Sequence, residues 1–218
     1  MANIYIIRHC ETNANAEKRL QGHIDIDINE LGAKQLKALS QRFKDIDLDA
    51  VFTSPLTRAK KTAEAVTNDK SIPININEGL IELHCGVYEN MPYAEIGEKF
   101  PDFFDIWFNR PWDFAPENGE KMTDAYERIW QTVTDICKSH KDQNVAIVTH
   151  GGIIRCLLCK VLKNDITKLT EIPFSENTAV SLLKFNHNMN CDVVYFNDSS
   201  HLTQELKNKD AMPPEEER

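Results

Sequence analysis

Three short apolar runs each break off into charged or ring-bearing side chains where a helical segment begins, and this constrains the fold more than any other feature of the chain. "NIYII" (3–7) leads into "RHCETNANAE", "LDAVFTS" (48–54) into "PLTRAKKTAEAV", and "NVAIVTH" (144–150) into "GGIIRCLLCKVL". Pro55 suits a first helical turn. Between the first two runs, "ELGAKQLKALSQRF" (30–43) sets Leu31, Leu36, Leu39 and Phe43 at a helical spacing. Strand followed by helix, repeated, predicts an α/β fold with a mostly parallel sheet covered by helices on both faces. "TAVSLLKFN" (178–186) and "CDVVYFN" (191–197), joined by "HNMN", predict an antiparallel hairpin at the sheet edge.

The 218 residues suit one domain, 1–205, followed by a polar tail, 206–218. Residues 84–122 interrupt the alternation as a helical insertion that forms a cap over the sheet's end. Phe100, Phe103, Phe104, Trp107, Phe108, Trp112 and Phe114 crowd it. Packing the insertion onto the body accounts for these rings; lining a substrate pocket is the alternative. "TDAYERIWQTVTDICKSH" (123–140) follows as a long amphipathic helix.

A formal net charge of −9 argues against nucleic acid or an anionic membrane as a partner. Any bound anion needs positive charge gathered locally. No run approaches the roughly 20 apolar residues of a membrane helix. "MANIYIIRHC" lacks the basic and long apolar regions of an export signal, so a cytoplasmic location is expected. The six cysteines are then expected as reduced thiols. Cys156 and Cys159 form a C-x-x-C inside an apolar helical run, which reads as buried thiols rather than a redox pair. No second pair completes a zinc site, and neither a metal nor a cofactor is expected.

In an open parallel sheet, ligands bind outside the carboxyl ends of the strands. Arg8 and His9 stand at the first such end, Arg58 one turn past the second, and His150 at the third, before Gly151 and Gly152 at a helix start. Two helix N-termini are expected to add backbone N–H groups. Four cationic or potentially cationic side chains suit a phosphate, whereas two arginines would repel a metal ion. An imidazole beside a phosphoryl group can attack phosphorus and later release the group to water. Arginines would fork onto the equatorial oxygens and keep the attacking ring neutral. Glu82, in "GLIELHCGVYEN" after "IPININ" (72–77), is the candidate acid for the leaving oxygen. Arg19, Gln21 and Gly22 stand in the loop after the first motif, where contact with substrate or solvent fits equally. Glu120 is placed to cap the helix at 123–140. His201, in "NDSSHL", reads as a surface or capping residue, with the pocket rim as the alternative.

"RHCET" with Asn15 and "QG" (21–22), "SPLTRAKKTA" (54–63), "LIELHCGVYE" (80–89) and "VTHGG" (148–152), in this order, resemble the histidine phosphatase superfamily. The closer resemblance is to its branch of cofactor-dependent phosphoglycerate mutases and their phosphatase relatives. It implies a three-layer αβα sandwich with a helical insertion over the site. It implies His9 as the phosphorylated nucleophile, with Arg8, Arg58 and His150 completing the phosphate pocket and Glu82 as the acid. Asn15, Gln21, Gly22 and the Gly151 amide would line the pocket. One departure stands out. The family writes Arg-His-Gly where this chain has Arg8-His9-Cys10. A position that needs only a small residue accommodates the change, whereas one that needs a positive φ or a close backbone approach would be strained by about 1 kcal/mol or more. A thiol beside the nucleophile offers an oxidation switch as the alternative to a packed side chain. As a residue adjacent to His9 in extended chain, Cys10 should point away from it and pack.

The resemblance implies a phosphomonoester hydrolase acting on a small organic phosphate. A phosphoglycerate mutase is the alternative, but those enzymes carry a larger insertion rich in Arg and Tyr, whereas this one offers chiefly Lys99 and Arg110. A silent phosphate-binding module should have lost His9 or Glu82. An apolar face on the hairpin at 178–197 would support a homodimer; a capped edge fits equally.

Overall fold

The computed structural model describes residues 1–68 and 70–207. The tail at 206–218 therefore falls outside the described residues apart from its first two positions. Six strands form one sheet: β1 (Ala2–Arg8), β2 (Ala50–Thr53), β3 (Ile74–Ile76), β4 (Asn144–Thr149), β5 (Val180–Phe185) and β6 (Cys191–Asp198), in the order β3-β2-β4-β1-β5-β6. β3, β2, β4 and β1 are mutually parallel, β5 runs antiparallel to β1, and β6 returns antiparallel to β5 at the edge. The hairpin closes one side of the sheet, with its reversed strand one place in from the edge.

Among the described residues seven α-helices accompany the sheet: α1 (Asn13–Ala16), α2 (Glu30–Phe43), α3 (Thr57–Thr67), α4 (Tyr93–Lys99), α5 (Phe103–Asn109), α6 (Met122–Ser139) and α7 (Gly151–Lys163). Strand side chains alternate between two cores, as the pleat requires. Ile4, Ile6, Val145, Ile147 and Leu183 pack with α6, α7 and the insertion. Ile7, Val51, Ala146, Val148 and Val180 pack with Leu39 and Phe43 of α2 and Ala59, Ala63 and Val66 of α3. Two helical layers thus sandwich the sheet. The central strand β4 has neighbours on both sides and helices on both faces, so its run VAIV is apolar throughout, the pattern of a fully covered parallel strand.

The insertion rings, Trp112 apart, pack into the core. Phe103, Trp107 and Phe114 are buried, and Phe103 stacks on Trp107 at 5.6 Å between centroids. The insertion also ties to the loop behind α1: Leu20 N–H donates to Met91 O, Asn90 N–H to Leu20 O, and Tyr93 N–H to Lys18 O. Cys156 and Cys159 are buried in α7. Burial raises both thiols, Cys159 to about 11, which removes the thiolate that redox chemistry needs.

Candidate active site

The sheet order explains why residues far apart in sequence meet. β4 lies between β1 and β2, so their three carboxyl ends are neighbours. The ladders continue past the strands: His9 N–H donates to Thr149 O at 2.9 Å, and Ser54 N–H to Val148 O at 3.1 Å. His9 and His150 come to 5.1 Å between ring centroids. His9 is 3% exposed, and Arg58 and His150 are fully buried. Such burial of three basic groups, with Arg8 half-buried beside them, costs desolvation, and the protein meets it with specific partners.

Arg8 donates through Nη1 to the Ser175 carbonyl. Arg58 donates to Gly22 O at 2.8 Å and Ile24 O at 2.7 Å. Gly22 sits at φ +54°, and a Cβ there would lie 2.0 Å from Glu89 Oε1, so this turn needs glycine. His9 Nδ1 lies 2.6 Å from the Cys10 carbonyl oxygen. A carbonyl only accepts, so Nδ1 carries the hydrogen and Nε2 is left with its lone pair. His150 Nε2 lies 2.7 Å from Ser54 Oγ. Both rings are held well below the ordinary histidine value, by burial first and then by the Arg58 and Arg8 guanidiniums. Among the described residues, Arg8 Nε, Arg58 Nε and His150 Nδ1 are buried without a hydrogen-bond partner. With Ser54 donating to His150 Nε2, all three are donors, and all three belong to this cluster.

Glu82 stands at the start of α7. Its carboxylate accepts from Gly152 N at 3.1 Å, Ile153 N at 3.2 Å and Leu83 N at 2.9 Å. It thereby satisfies amides that His150, the N-cap, leaves uncapped. The Glu82 charge acts on both Arg8 and Arg58. Gly151 packs against Arg8, whose Nε would be 3.2 Å from a Cβ there. The helix ends differ from the expectation that they present free amides to a ligand. Gly152 and Ile153 serve Glu82, and at α3 the Thr57 N–H and hydroxyl go to Asp25 at 2.7 and 2.8 Å.

Asn15 serves the local chain. It completes a capping box with Thr12 at α1. Gln21 accepts from the same Thr12 hydroxyl at 2.9 Å. Arg19 pairs with Glu17 and donates to Asn90 O on the exposed side of the loop. Glu120 does not cap α6, whose N-cap is Lys121 without a side-chain bond. It pairs with both forks of Arg128 at 2.7 Å, and Arg128 also donates to Gly79 O, Ile81 O and Glu82 O. That arginine pins the loop that carries Glu82.

Cys10 is fully buried, its N–H donates to Thr62 Oγ1 at 3.1 Å, and it is absent from the described residues with positive φ. Burial pushes its thiol up to about 11. No left-handed backbone at this position calls for glycine.

Several supports carry no signal in the sequence. Asn177 Nδ2 donates to His9 O at 2.8 Å, and Thr178 N–H to Arg8 O at 3.1 Å and His9 O at 3.3 Å. Thr178 sits at φ +59°, a strained place for a β-branched residue that costs of order 1–3 kcal/mol. His23 and His84 stack at 4.5 Å between centroids beside Glu82, whose carbonyl accepts from His23 Nε2 at 2.7 Å. Among the described residues no group of three or more His, Cys, Asp or Glu is placed to hold a metal ion, and no helix is long and apolar enough to cross a membrane.

Comparison with known proteins agrees with this geometry. Residues 4–199 match the profile of the histidine phosphatase superfamily (branch 1). Phosphoserine phosphatase 1 of Hydrogenobacter thermophilus is 29% identical over 202 residues, 93% of this chain and 95% of that protein. Phosphoglycerate mutase-like protein 4 of Arabidopsis thaliana is 28% identical over 206 residues, 93% of this chain and 88% of that protein. The solved structure of Bacillus stearothermophilus YhfR superposes with a TM-score of 0.88 at 32% identity, covering 92% of this chain and 99% of that one. With its site at the carboxyl ends of β1, β2 and β4, the chain belongs to branch 1 of the histidine phosphatase superfamily.

Proposed function

We propose that this chain, a phosphatase of the histidine phosphatase type, hydrolyses small phosphomonoesters through a phosphohistidine at His9. The observation that carries the reading is the set of buried, unpartnered donors, Arg8 Nε, Arg58 Nε and His150 Nδ1, around a neutral imidazole. A phosphoryl group satisfies all of them at once.

In the proposed reaction His9 Nε2 attacks phosphorus in line with the ester oxygen. The N–P bond forms as the P–O bond to the leaving alcohol breaks, and Glu82 delivers the proton that alkoxide needs. Arg8, Arg58 and His150 stabilise the equatorial oxygens. Water, deprotonated by Glu82, then cleaves the N–P bond and releases phosphate. Gln21, Gly22, Asn15 and the Gly151 amide form the surround of the pocket in this reading, with Gly22 and Asn15 acting through the loop they shape.

Hydrolysis is favoured over mutase chemistry by the insertion's cations. Lys99 pairs with Glu95, and Arg110 with Asp105 and Asp113, all on its exposed side. They are spent on neighbouring carboxylates rather than on a substrate. Residues 84–122 form the cap of a single domain, 1–205, in this reading. The stacked His23 and His84 beside Glu82 support a substrate that carries a second anionic group near its phosphate, as phosphoserine does. Six free cysteines, five of them buried, support a reducing, cytoplasmic setting. Val194 and Phe196, exposed on edge strand β6, support a homodimer through that edge.

The test is phosphate release from p-nitrophenyl phosphate and phosphoserine, set against isomerisation of 3-phosphoglycerate primed with its bisphosphate. Release without isomerisation, unaffected by EDTA, is expected, and His9→Ala should abolish turnover while orthovanadate still binds. Full turnover by His9→Ala would refute the mechanism.

A further inference from the structure

The motif "NDSSHL" (197–202) lies behind the nucleophile rather than at the substrate. His201 stands between α2 and the segment that precedes β5. Arg42 of α2 is anchored by Asp198, through Oδ2 at 2.7 Å and the backbone carbonyl at 3.0 Å, and lies over the Tyr195 ring. Its Nη1 reaches His201 Nδ1 at 3.2 Å, and His201 Nε2 lies 3.1 Å from Thr178 Oγ1. Arginine only donates, so Nδ1 accepts and Nε2 carries the hydrogen that goes to Thr178. Burial and Arg42 hold the ring neutral by pushing it down to about 4, which keeps this tautomer in place.

We propose that His201 is a positioning residue for the nucleophile: anchored by Arg42, it fixes the Thr178 hydroxyl, and the Thr178 amide in turn fixes the His9 carbonyl. The inference rests on the reading of His9 as nucleophile. Thr178 is fully buried in a left-handed conformation that threonine adopts only under restraint. Its N–H is shared between Arg8 O and His9 O, and Asn177 adds a second donor to His9 O. The His9 carbonyl begins the peptide whose next carbonyl, that of Cys10, accepts the His9 Nδ1 hydrogen. A turn of that peptide therefore moves the acceptor that sets the ring's tautomer and direction. His201 touches no substrate in this account. It acts two bonds removed, by keeping residue 178 where the strand ladder alone would not hold it.

A residue that merely closes the edge of the fold would shift stability and leave the chemical step alone. We therefore compare kcat, KM and the rapid-quench rate of phosphoenzyme formation on p-nitrophenyl phosphate, well below each variant's melting temperature. His201→Ala should lower kcat and phosphoenzyme formation about tenfold with KM within about twofold, the loss of one aligning contact. Thr178→Val, which keeps the branch and loses the hydroxyl, should do the same, and the double variant should be no worse than either. His201→Gln, whose amide can still donate to Thr178, should recover part of the loss. Unchanged kcat, a loss carried by KM, or losses that multiply in the double variant would overturn the proposal. If His201→Ala fails to fold, Thr178→Val carries the same outcomes. His9→Ala separates the two claims: an inactive His9→Ala beside a fully active His201→Ala sinks this inference alone, whereas an active His9→Ala sinks the catalytic reading beneath it.

Discussion

An oxyanion should stabilise this protein, and the size of the effect follows from the site. Three buried donors, Arg8 Nε, Arg58 Nε and His150 Nδ1, have no partner. Each unsatisfied buried group costs about 1–3 kcal/mol, so roughly 3–9 kcal/mol of gross desolvation is recoverable by one tetrahedral ion. Binding to the folded state alone adds RT ln(1 + [L]/Kd), about 1.4 kcal/mol for every tenfold rise above Kd. For a domain of this size about 1 kcal/mol moves Tm by roughly 2–4 °C. Tm should therefore climb by about 3–6 °C per decade of inorganic phosphate or orthovanadate.

Differential scanning calorimetry at pH 7.5, with potassium chloride matching the ionic strength, measures that slope. Arg58→Ala is the control. It removes the bonds to Gly22 O and Ile24 O and lowers the starting Tm, but its diagnostic consequence is a flattened slope. A wild-type slope of zero between 0.1 and 100 mM phosphate, on the order of the range these affinities span, would refute the reasoning. So would an undiminished slope in Arg58→Ala, or a larger rise with zinc than with phosphate.

Two further outcomes follow from the same residues. His9 and His150 are held neutral well below 6.5, so the unfolded chain binds protons first on acidification. Stability is thus complete above pH 6.5 and falls below it, by up to about 1.4 kcal/mol per ring per pH unit until the folded values are reached; urea unfolding at pH 7.5 and 5.5 measures this, and a flat profile contradicts it. Cys10, buried with its thiol raised to about 11, should be inert: wild type and Cys10→Ser should keep equal phosphatase activity under peroxide, and selective loss in the wild type would mean an oxidation switch.

The residues legible in the sequence are those whose position follows from topology. Arg8, His9, Arg58 and His150 stand where apolar runs end, and in a parallel sheet those ends share one rim. Helix 30–43 is legible to the residue because Asn29 caps it and Leu39 and Phe43 keep the helical period. Contacts set by register between distant segments leave no such trace. Asn177 meets His9 across 168 residues, and Arg128 meets Glu120 instead of leaving it to cap α6. Asp25 reaches the α3 terminus only because the loop after Gly22 folds back under Arg58. Polar side chains in loops choose partners after the strands have paired, so their roles are properties of the assembled rim.

Cys10 shows how the two levels meet. Read against the family motif, a cysteine in place of glycine suggests a strained backbone or a new reactive group. The fold supplies neither, because His9 continues the β1 ladder to Thr149, and Cys10 follows it with its amide bonded to Thr62 and its side chain buried. What His9 takes from residue 10 is a carbonyl, 2.6 Å from Nδ1, and every residue type has one. Side-chain identity there is free to vary within the space available. At Thr178, by contrast, the backbone conformation is costly for the residue present, and the cost is borne where the amide holds His9. In the proposed mechanism the strained residue is thus the one whose amide bonds the nucleophile's carbonyl, while the departure in the motif falls on a residue that supplies only backbone.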